Sequence, residues 1–245
     1  MLSQSRRSGR WIYNQMIAID QNISDVRARI KQAATLYSRE SSTISLLAVS
    51  KKQPVSAIQV AMAAGIKDFG ENYLQEAELK INELREMSLN WHYIGAIQSN
   101  KTRSIASLFD WVHSVDRVSI AQRLSNQRPE GLAPLNICLQ INIDAEASKS
   151  GLQPEDTLMA VEQINSMPNL CLRGLMAIPA KSDDIQSTRA SFARMYQLFE
   201  QAQQLSDTSS FDTLSMGMSA DIEPAIAEGA TLLRVGTDIF GARSS

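Results

Sequence analysis

Short apolar segments alternate with longer amphipathic segments along most of this sequence. Each short segment has the length of a strand, and apolar residues recur at helical spacing in the segment that follows it. Strands that alternate with helices pair in parallel through crossover connections. We therefore predict a parallel sheet of eight strands, over residues 44–50, 67–70, 91–96, 111–115, 136–143, 170–178, 213–217 and 231–236.

An amphipathic helix from about Ile17 to Arg39 precedes the first strand, and a helix or a terminal turn follows every strand. Pro54 and Gly65 bracket the helix after the first strand, which is the expected punctuation of a helix start and end. The charged segment AELKINELREM (77–87), after the second strand, is predicted to be a solvated helix face.

Eight such units in about 200 residues favour a single (β/α)8 TIM barrel of the α/β class, with an extra N-terminal helix. An open doubly wound sheet, the alternative, usually has fewer strands and a glycine-rich first turn, whereas the first strand here ends in SKKQP (50–54). No linker divides the chain, so one domain is predicted over residues 15–245. Residues 1–14, which include Arg6, Arg7 and Arg10, are predicted to be a disordered leader.

The composition is that of an ordinary globular protein, with 245 residues, 44% hydrophobic residues and a formal net charge of -2. This charge does not favour a nucleic-acid-binding protein, and without a run of 18 apolar residues we expect no membrane span. Cys138 and Cys171 lie in apolar segments without C-x-x-C spacing, which is typical of buried thiols in a reducing compartment. We expect a cytoplasmic protein, and a bare barrel with a polar surface favours a monomer.

Lys51 stands directly after the first strand, where the loops of a barrel build its active face. A lysine amine in a partly dry pocket there is a better nucleophile for a carbonyl, because burial disfavours the ammonium form. The alternative is an ordinary loop lysine on the surface, which is the interpretation we give to Lys52.

Two glycine-containing turns follow the seventh and eighth strands, which is the usual phosphate site of these barrels. SMGMS (215–219) includes Gly217, Met218 and Ser219, and RVGT (234–237) includes Gly236 and Thr237. The glycines allow backbone N–H groups to approach an anion closely, and the hydroxyls add donors. Ser219 is also a candidate N-cap of the next helix. The alternative is two ordinary strand-to-helix turns.

Three further residues are candidates on the same face. Arg234 lies inside the last strand and needs a partner there, so it either donates to a ligand ring nitrogen or forms a structural salt bridge. Asn72 donates to a ligand ring oxygen or caps the helix near Tyr73. Lys149 sits on a loop after the fifth strand that either covers the site or is simply flexible.

The histidines give no catalytic or metal signal. His92 and His113 both fall within predicted strands, and each is interpreted as a hydrogen-bonded core residue. With two histidines in the sequence and no clustered cysteines, a metal site is not expected.

Taken together, AVSK (48–51), FGENYLQE (69–76), WHYIGAIQSNK (91–101), SKSG (148–151) and MGMSADIEPAIAEGATLLRVGTDIFGAR (216–243) resemble the pyridoxal phosphate homeostasis proteins, in bacteria often called the YggS family. The resemblance extends from about Ser45 to Arg243. It implies a fold-type III barrel that binds pyridoxal 5'-phosphate (PLP), similar to the barrel of alanine racemase and related decarboxylases without their second domain.

The resemblance also implies a role for each candidate residue. Lys51 would carry PLP as a Schiff base, Asn72 would line the ring, and Arg234 would face the pyridine nitrogen. Lys149 would lie on a loop near the cofactor. The phosphate would be held by residues of the two glycine-containing turns, namely Met218, Ser219, Gly236 and Thr237.

The sequence departs from the family pattern at two positions. Gln53 stands where many members have a lysine, so a role for a second lysine there is not expected. Asp238 follows Thr237 where a small residue is common. Because a carboxylate would repel the phosphate, we expect the Asp238 side chain to turn away from it.

The resemblance implies a protein that buffers or delivers PLP, with PLP-dependent apo-enzymes as recipients and without catalytic turnover of its own. A racemase is the first alternative, but it needs a base on each face of its substrate. Lys51 could be one base, and no tyrosine is an obvious second base, although Tyr73 and Tyr93 stay open as candidates. The second alternative is an aldolase-like barrel, in which Lys51 forms a Schiff base directly with a sugar phosphate.

Overall fold

The computed structural model describes residues 2–206 and 210–241, and it describes side chains from residue 18 onward within these ranges. Eight strands form a closed barrel in which each strand pairs in parallel with the next, and the last pairs with the first. The predicted (β/α)8 barrel is confirmed. The strands are β1 (Ser45–Val49), β2 (Asp68–Glu71), β3 (Asn90–Tyr93), β4 (Trp111–Val115), β5 (Leu135–Ile141), β6 (Leu170–Ala177), β7 (Thr213–Ser215) and β8 (Leu232–Val235).

In the described residues, the helices lie outside the barrel, one before the first strand and one after each strand. They are α1 (Leu2–Leu36), α2 (Val55–Ala63), α3 (Leu74–Glu83), α4 (Thr102–Leu108), α5 (Val118–Gln127), α6 (Thr157–Asn165), α7 (Ile185–Leu205), α8 (Ile222–Ala227) and α9 (Thr237–Phe240). Most of the apolar core lies between the strands and these helices, and its largest fully buried side chains include Phe69, Phe109, Phe192 and Phe211.

Helix α1 covers the side of the barrel where β8 meets β1. It contacts α2, α8 and α9, and the Nδ2 atom of Asn22 donates to the carbonyl of Ile239 at 2.9 Å. This contact is needed because α9, the helix that follows β8, has only four residues. The buried face of α1 recurs at helical spacing and comprises Ile19, Ile23, Val26, Ile30, Ala33 and Ala34.

The C-terminal end of α1 differs from the predicted end of this helix. The helix ends at Leu36 rather than near Arg39, and Arg39 instead donates to the carbonyls of Ile226 and Ala230 at the end of α8. The backbone of residues 2–14 belongs to α1, but the side chains of residues 2–17 lie outside the described part. The leader over residues 1–14 and the domain bounds therefore stay predictions.

The structure bears on the predictions about membrane spans and about the two cysteines. Within residues 2–206 and 210–241, no helix combines the length and the apolar character that crossing a bilayer requires. Cys138 is buried, as expected, and burial raises the pKa of its thiol well above the ordinary value. Cys171, in contrast, is only half-buried, because it is the second residue of β6, near the N-terminal end of the barrel.

A β-bulge at Arg173 and Gly174 shifts the register between β5 and β6. Gly174 has a φ of +150°, and a Cβ atom there would lie 1.9 Å from the carbonyl oxygen of Thr213 on β7. Only glycine fits at this position, because the backbones of β6 and β7 leave no room for a side chain.

We expect Gly174→Ala to lower the free energy of unfolding by about 3 kcal/mol or more, because it adds a backbone clash to the strain of a positive φ. Gly131→Ala is the matched control. Gly131 has a φ of +86°, and a Cβ atom there would meet none of the described atoms within 4 Å, its chain neighbours aside. It should cost about 1 kcal/mol. Urea denaturation measures both variants, and equal losses would show that the clash is relieved without cost.

Candidate functional site

A cavity of about 240 Å³ opens at the C-terminal ends of the strands. Seven of the eight predicted site residues lie in its wall: Lys51, Asn72, Met218, Ser219, Arg234, Gly236 and Thr237. Val49, Ile94, Ile178 and Ala220 complete the wall. Convergence follows from topology, because all C-terminal ends of a parallel barrel lie at one face. The roles of the individual residues stay predictions.

Lys149, the eighth predicted residue, lies beside the cavity wall rather than in it. Its Nζ atom donates to the carbonyls of Ile178 and Pro179, at 3.2 and 2.8 Å, and pairs with Glu146. Lys149 therefore ties the loop after β5 to the loop after β6, of which Ile178 lines the cavity.

The loop that carries Lys51 is held by a buried lysine of α3. Lys80 is 5% exposed, and its Nζ atom donates to the carbonyl of Ser50 at 2.7 Å. It also pairs with the carboxylates of Glu71, at 2.7 Å, and Glu76, at 2.6 Å. The prediction that the charged segment 77–87 is only a solvated face is therefore wrong at Lys80, because α3 turns this side chain under the β1–α2 loop.

Both carboxylates that pair with Lys80 also bind the Lys51 loop directly. The Oγ atom of Ser50 donates to Glu71 Oε1 at 2.6 Å. The backbone N–H of Lys52 donates to Glu76 Oε1 at 2.6 Å, and Lys52 has a φ of 63°. Hydrogen bonds on either side of Lys51 thus fix where its backbone leaves β1. We call Ser50, Glu71, Glu76 and Lys80 the loop clamp.

Glu71 is the most constrained member of the loop clamp. It is fully buried, and this burial raises the pKa of its carboxyl above the ordinary value, although Lys80 and Ser50 act in the opposite direction. Its Oε2 atom has no hydrogen-bond partner among the described residues. Glu71 therefore depends on Lys80 for its neutralisation.

Ser219 and Thr237 place two hydroxyl groups at one end of the cavity. Ser219 is not the N-cap that the sequence suggested, because α8 begins three residues later with Asp221 in the capping position. Its Oγ atom instead accepts from the backbone N–H of Asp238 at 3.3 Å. The carboxylate of Asp238 pairs with Arg29 of α1 at 2.5 Å.

The turn between β7 and α8 is held by Asp221, which no sequence pattern singled out. Its Oδ1 atom accepts from the backbone N–H of Met218 at 2.5 Å. Burial raises the pKa of Asp221, whereas the hydrogen bond from Met218 and the charge of Arg234 lower it. Gly217 has a φ of +93°, and a Cβ atom there would lie 2.5 Å from the Cβ atom of Ala225. Gly217 is thus required by close packing.

Arg234 lies at the bottom of the cavity and is 4% exposed. Its Nη1 atom donates to Ser215 Oγ at 2.8 Å, and its Nη2 atom donates to the carbonyl of Ala177 at 3.0 Å. Burial lowers the pKa of the guanidinium to about 10, which still leaves it charged at neutral pH. Since these bonds use only part of its donors, further N–H groups can face the cavity.

Asn72 follows β2, and its half-buried side chain lies in the cavity wall. Its Oδ1 atom is buried and has no hydrogen-bond partner among the described residues. The alternative role as a helix cap is wrong, since Tyr73 occupies the capping position of α3. An unpartnered buried amide oxygen at this point indicates that the cavity is built to receive a polar group.

Known proteins are similar to this chain over most of its length. A curated relative, the pyridoxal phosphate homeostasis protein of Pseudomonas aeruginosa, is 56% identical over 228 residues, which cover 93% of this chain and 97% of the relative. The family described as "Alanine racemase, N-terminal domain" matches residues 18–244.

The chain belongs to the pyridoxal phosphate homeostasis protein family.

Solved structures similar to this chain include a PLP-bound protein and an alanine racemase. The structure of PipY of Synechococcus elongatus with PLP bound is 38% identical and has a TM-score of 0.76, covering 86% of this chain and 99% of that chain. Alanine racemase from Corynebacterium glutamicum has a TM-score of 0.70 at 16% identity, over 93% of this chain and 62% of its own. At that identity, the likeness shows the barrel fold alone.

We expect Lys80→Met to lower the free energy of unfolding by about 3 kcal/mol or more, because it leaves the buried carboxylate of Glu71 without a counter-charge. Combining Lys80→Met with Glu71→Gln should recover most of this loss, which urea denaturation measures.

Arg85→Met is the matched control at an exposed pair. Arg85 and Glu86 have side-chain exposures of 76% and 83%, and breaking such a pair should leave stability nearly unchanged. If Lys80→Met were no more destabilising than Arg85→Met, the loop clamp would contribute nothing to folding.

Proposed function

We propose that this protein binds PLP as a Schiff base on Lys51 and takes part in intracellular PLP homeostasis, without catalytic turnover of its own. The observation that carries the proposal is the convergence of Lys51, Ser219, Thr237, Arg234 and Asn72 on one cavity. The names of the relatives and the PLP-bound structure of PipY support the same ligand.

The residues present fit the chemistry of PLP. Ser219 and Thr237 supply hydroxyl donors for a phosphate, together with backbone N–H groups at the start of α9. The buried amide of Asn72 suits the ring oxygen. A half-turn of that amide exchanges Oδ1 for Nδ2, so the buried position can hold a donor as well as an acceptor.

Arg234 suits the pyridine nitrogen. A guanidinium can only donate hydrogen bonds, so a ring nitrogen that accepts from Arg234 stays unprotonated. When bound, PLP supplies an aldehyde that condenses with an amine and a ring that withdraws electrons. An unprotonated ring withdraws them weakly, which favours holding the cofactor over processing an amino acid.

The described side chains give little support to a racemase. Tyr93 is 4% exposed, its hydroxyl donates to the carbonyl of Ala96, and burial raises its pKa. Tyr73 is 51% exposed. Neither residue belongs to the cavity wall that contains Lys51, whereas a racemase needs a second base at its substrate. We further propose that the protein is a monomer and that it delivers PLP to apo-enzymes in the cytoplasm.

We expect the purified protein mixed with PLP to show a visible absorption band that borohydride abolishes, and Lys51→Ala to lack it. Lys52→Asn is the matched control, because Lys52 is exposed and asparagine tolerates its positive φ of 63°. A protein that stays colourless with PLP would refute the proposal and favour the aldolase-like alternative, in which a sugar phosphate reacts with Lys51 directly.

We expect the loaded protein to restore the activity of a PLP-dependent apo-enzyme, and to convert L-alanine to D-alanine no faster than free PLP does. Spectrophotometric assays with a limiting supply of PLP measure both reactions. Steady racemisation that Lys51→Ala abolishes would overturn the non-catalytic role, and failure to reactivate any apo-enzyme would count against delivery.

A further inference from the structure

A line of hydrogen-bonded side chains runs through the barrel interior, away from the cavity. It begins with Arg234 Nη1 and Ser215 Oγ, which are 2.8 Å apart. Ser215 Oγ lies 2.9 Å from Nδ1 of His113, and Nε2 of His113 lies 2.9 Å from Nδ1 of His92. Nε2 of His92 lies 3.1 Å from Oδ1 of Asp68. We call these five residues the polar line.

The polar line connects the two ends of the barrel. Arg234, Ser215, His113 and His92 are each less than 5% exposed. Asp68, in contrast, has a side-chain exposure of 37%, and it is the first residue of β2. It therefore faces a second cavity, of about 340 Å³, at the N-terminal ends of the strands. His92 also lies in that wall and stacks on Trp111, with ring centroids 5.4 Å apart.

The donor and acceptor roles along the polar line follow from its two ends. At one end, Arg234 can only donate, so Ser215 Oγ accepts from it. At the other end, the ionised carboxylate of Asp68 can only accept, so His92 carries a proton on Nε2. Burial would raise the pKa of Asp68, but hydrogen bonds from His92 and Asn90 bring it below its ordinary value, which keeps the carboxylate ionised.

The middle of the polar line is then determined as well. Burial, and after it the charge of Arg234, lowers the pKa of His113 well below its ordinary value, so His113 is neutral. Nε2–H of His113 then donates to Nδ1 of His92, because the reverse direction would leave the hydroxyl proton of Ser215 without an acceptor among the described residues. The Nδ1 atom of His113 must then accept from the hydroxyl of Ser215. Every hydrogen bond points from Arg234 toward Asp68.

We propose that the polar line is a positioning device, in which Asp68 at the far end fixes the direction of the hydrogen bonds and thereby holds Ser215 Oγ as the acceptor that orients Arg234. Ser215, His113, His92 and Asp68 are positioning residues, since they act through Arg234. The effect on a bound cofactor rests on the proposed function, namely on PLP occupying the cavity above Arg234.

Aligned hydrogen bonds in a low-dielectric interior polarise one another, and a carboxylate is a stronger acceptor than a neutral group. A substitution of Asp68 therefore weakens the hydrogen bond that orients Arg234, although Asp68 does not line the cavity that contains Lys51. Core residues that merely satisfy one another's hydrogen bonds would not transmit such an effect to Arg234.

The first test needs no cofactor. The sequence contains two histidines, and both belong to the polar line, so nitrogen NMR of the histidine-labelled protein without PLP reports on nothing else. Both imidazoles should be neutral Nε2–H tautomers at neutral pH. Ser215→Ala should move the Nδ1 resonance of His113 toward that of a nitrogen without a hydrogen-bond donor. A proton on Nδ1 of either histidine would overturn the proposed direction.

The second test measures PLP binding and the position of its visible band. Ser215→Ala should weaken binding by about tenfold and shift the band, because Arg234 loses its acceptor. Thr213→Ala is the matched control, since Thr213 is a buried hydroxyl of the same strand whose Oγ1 atom bonds to Asp212, outside the polar line. Equal behaviour of the two variants would overturn the role of Ser215.

The third test acts at the far end. Asp68→Asn should shift the band and weaken binding by about threefold, since a neutral acceptor holds His92 less strongly. Asp212→Asn removes a carboxylate from the same N-terminal cavity, but Asp212 pairs with Arg173 instead, so it should leave both quantities unchanged. If Asp68→Asn and Asp212→Asn had identical effects, the polar line would be ordinary core packing and the proposal would be wrong. If the wild-type protein bound no PLP, the proposed function would fail while the NMR result stood.

Discussion

A guanidinium group inside a β-barrel loses its hydration and remains charged, so its hydrogen-bond partners must be supplied by the interior itself. Arg234 is in this position, and much of the barrel interior is arranged around it. The hydroxyl of Ser215 and the carbonyl of Ala177 accept directly from it. Behind Ser215, two histidines occupy space that aliphatic side chains usually fill in barrels of this kind. The interior is thereby more polar than stability alone would require.

The part of the cavity wall that carries Lys51 depends on a second buried charge. Lys80 reaches from α3 to the loop after β1 and, with Glu71 and Glu76, fixes the backbone on both sides of Lys51. Lys51 and Arg234 thus face one cavity from supports that do not share a residue. A lysine that must meet an aldehyde at one distance and angle benefits from such rigid support, because small displacements of a reacting group are costly.

The barrel and most of the cavity wall could be predicted from sequence because both follow from order along the chain. Alternation of strands and helices fixes the topology, and topology brings Lys51, Ser219 and Thr237 to one face without knowledge of any side-chain contact. The resemblance to a known family then gave each residue a role. Met218 and Gly236 reach the wall for the same reason, as neighbours of these strand ends.

The polar contacts behind the wall could not be predicted, because they depend on register and on helix rotation. His92 and His113 were each interpreted correctly as core residues, but their contact requires the register of β3 on β4, which periodicity does not give. Lys80 has Glu76 four residues before it, the pattern of a solvated helix face. Only the packing of α3 shows that this side chain points inward. Lys149 was placed near the cavity, but its bond to the next loop depends on local turns.

The position of α1 affects how the barrel is completed during folding. This helix precedes every strand, yet it packs where the last strand meets the first, and its Asn22 bonds to a residue 217 positions later. It packs against α2 as well, but the surface that α8 and α9 supply does not exist until the last strands have joined the sheet. Contacts of such large sequence separation form slowly, so part of the apolar face of α1 stays exposed until the last elements of the chain have assembled. We therefore expect the packing of α1 against α8 and α9, beside the pairing of β8 with β1, to be among the last steps of folding.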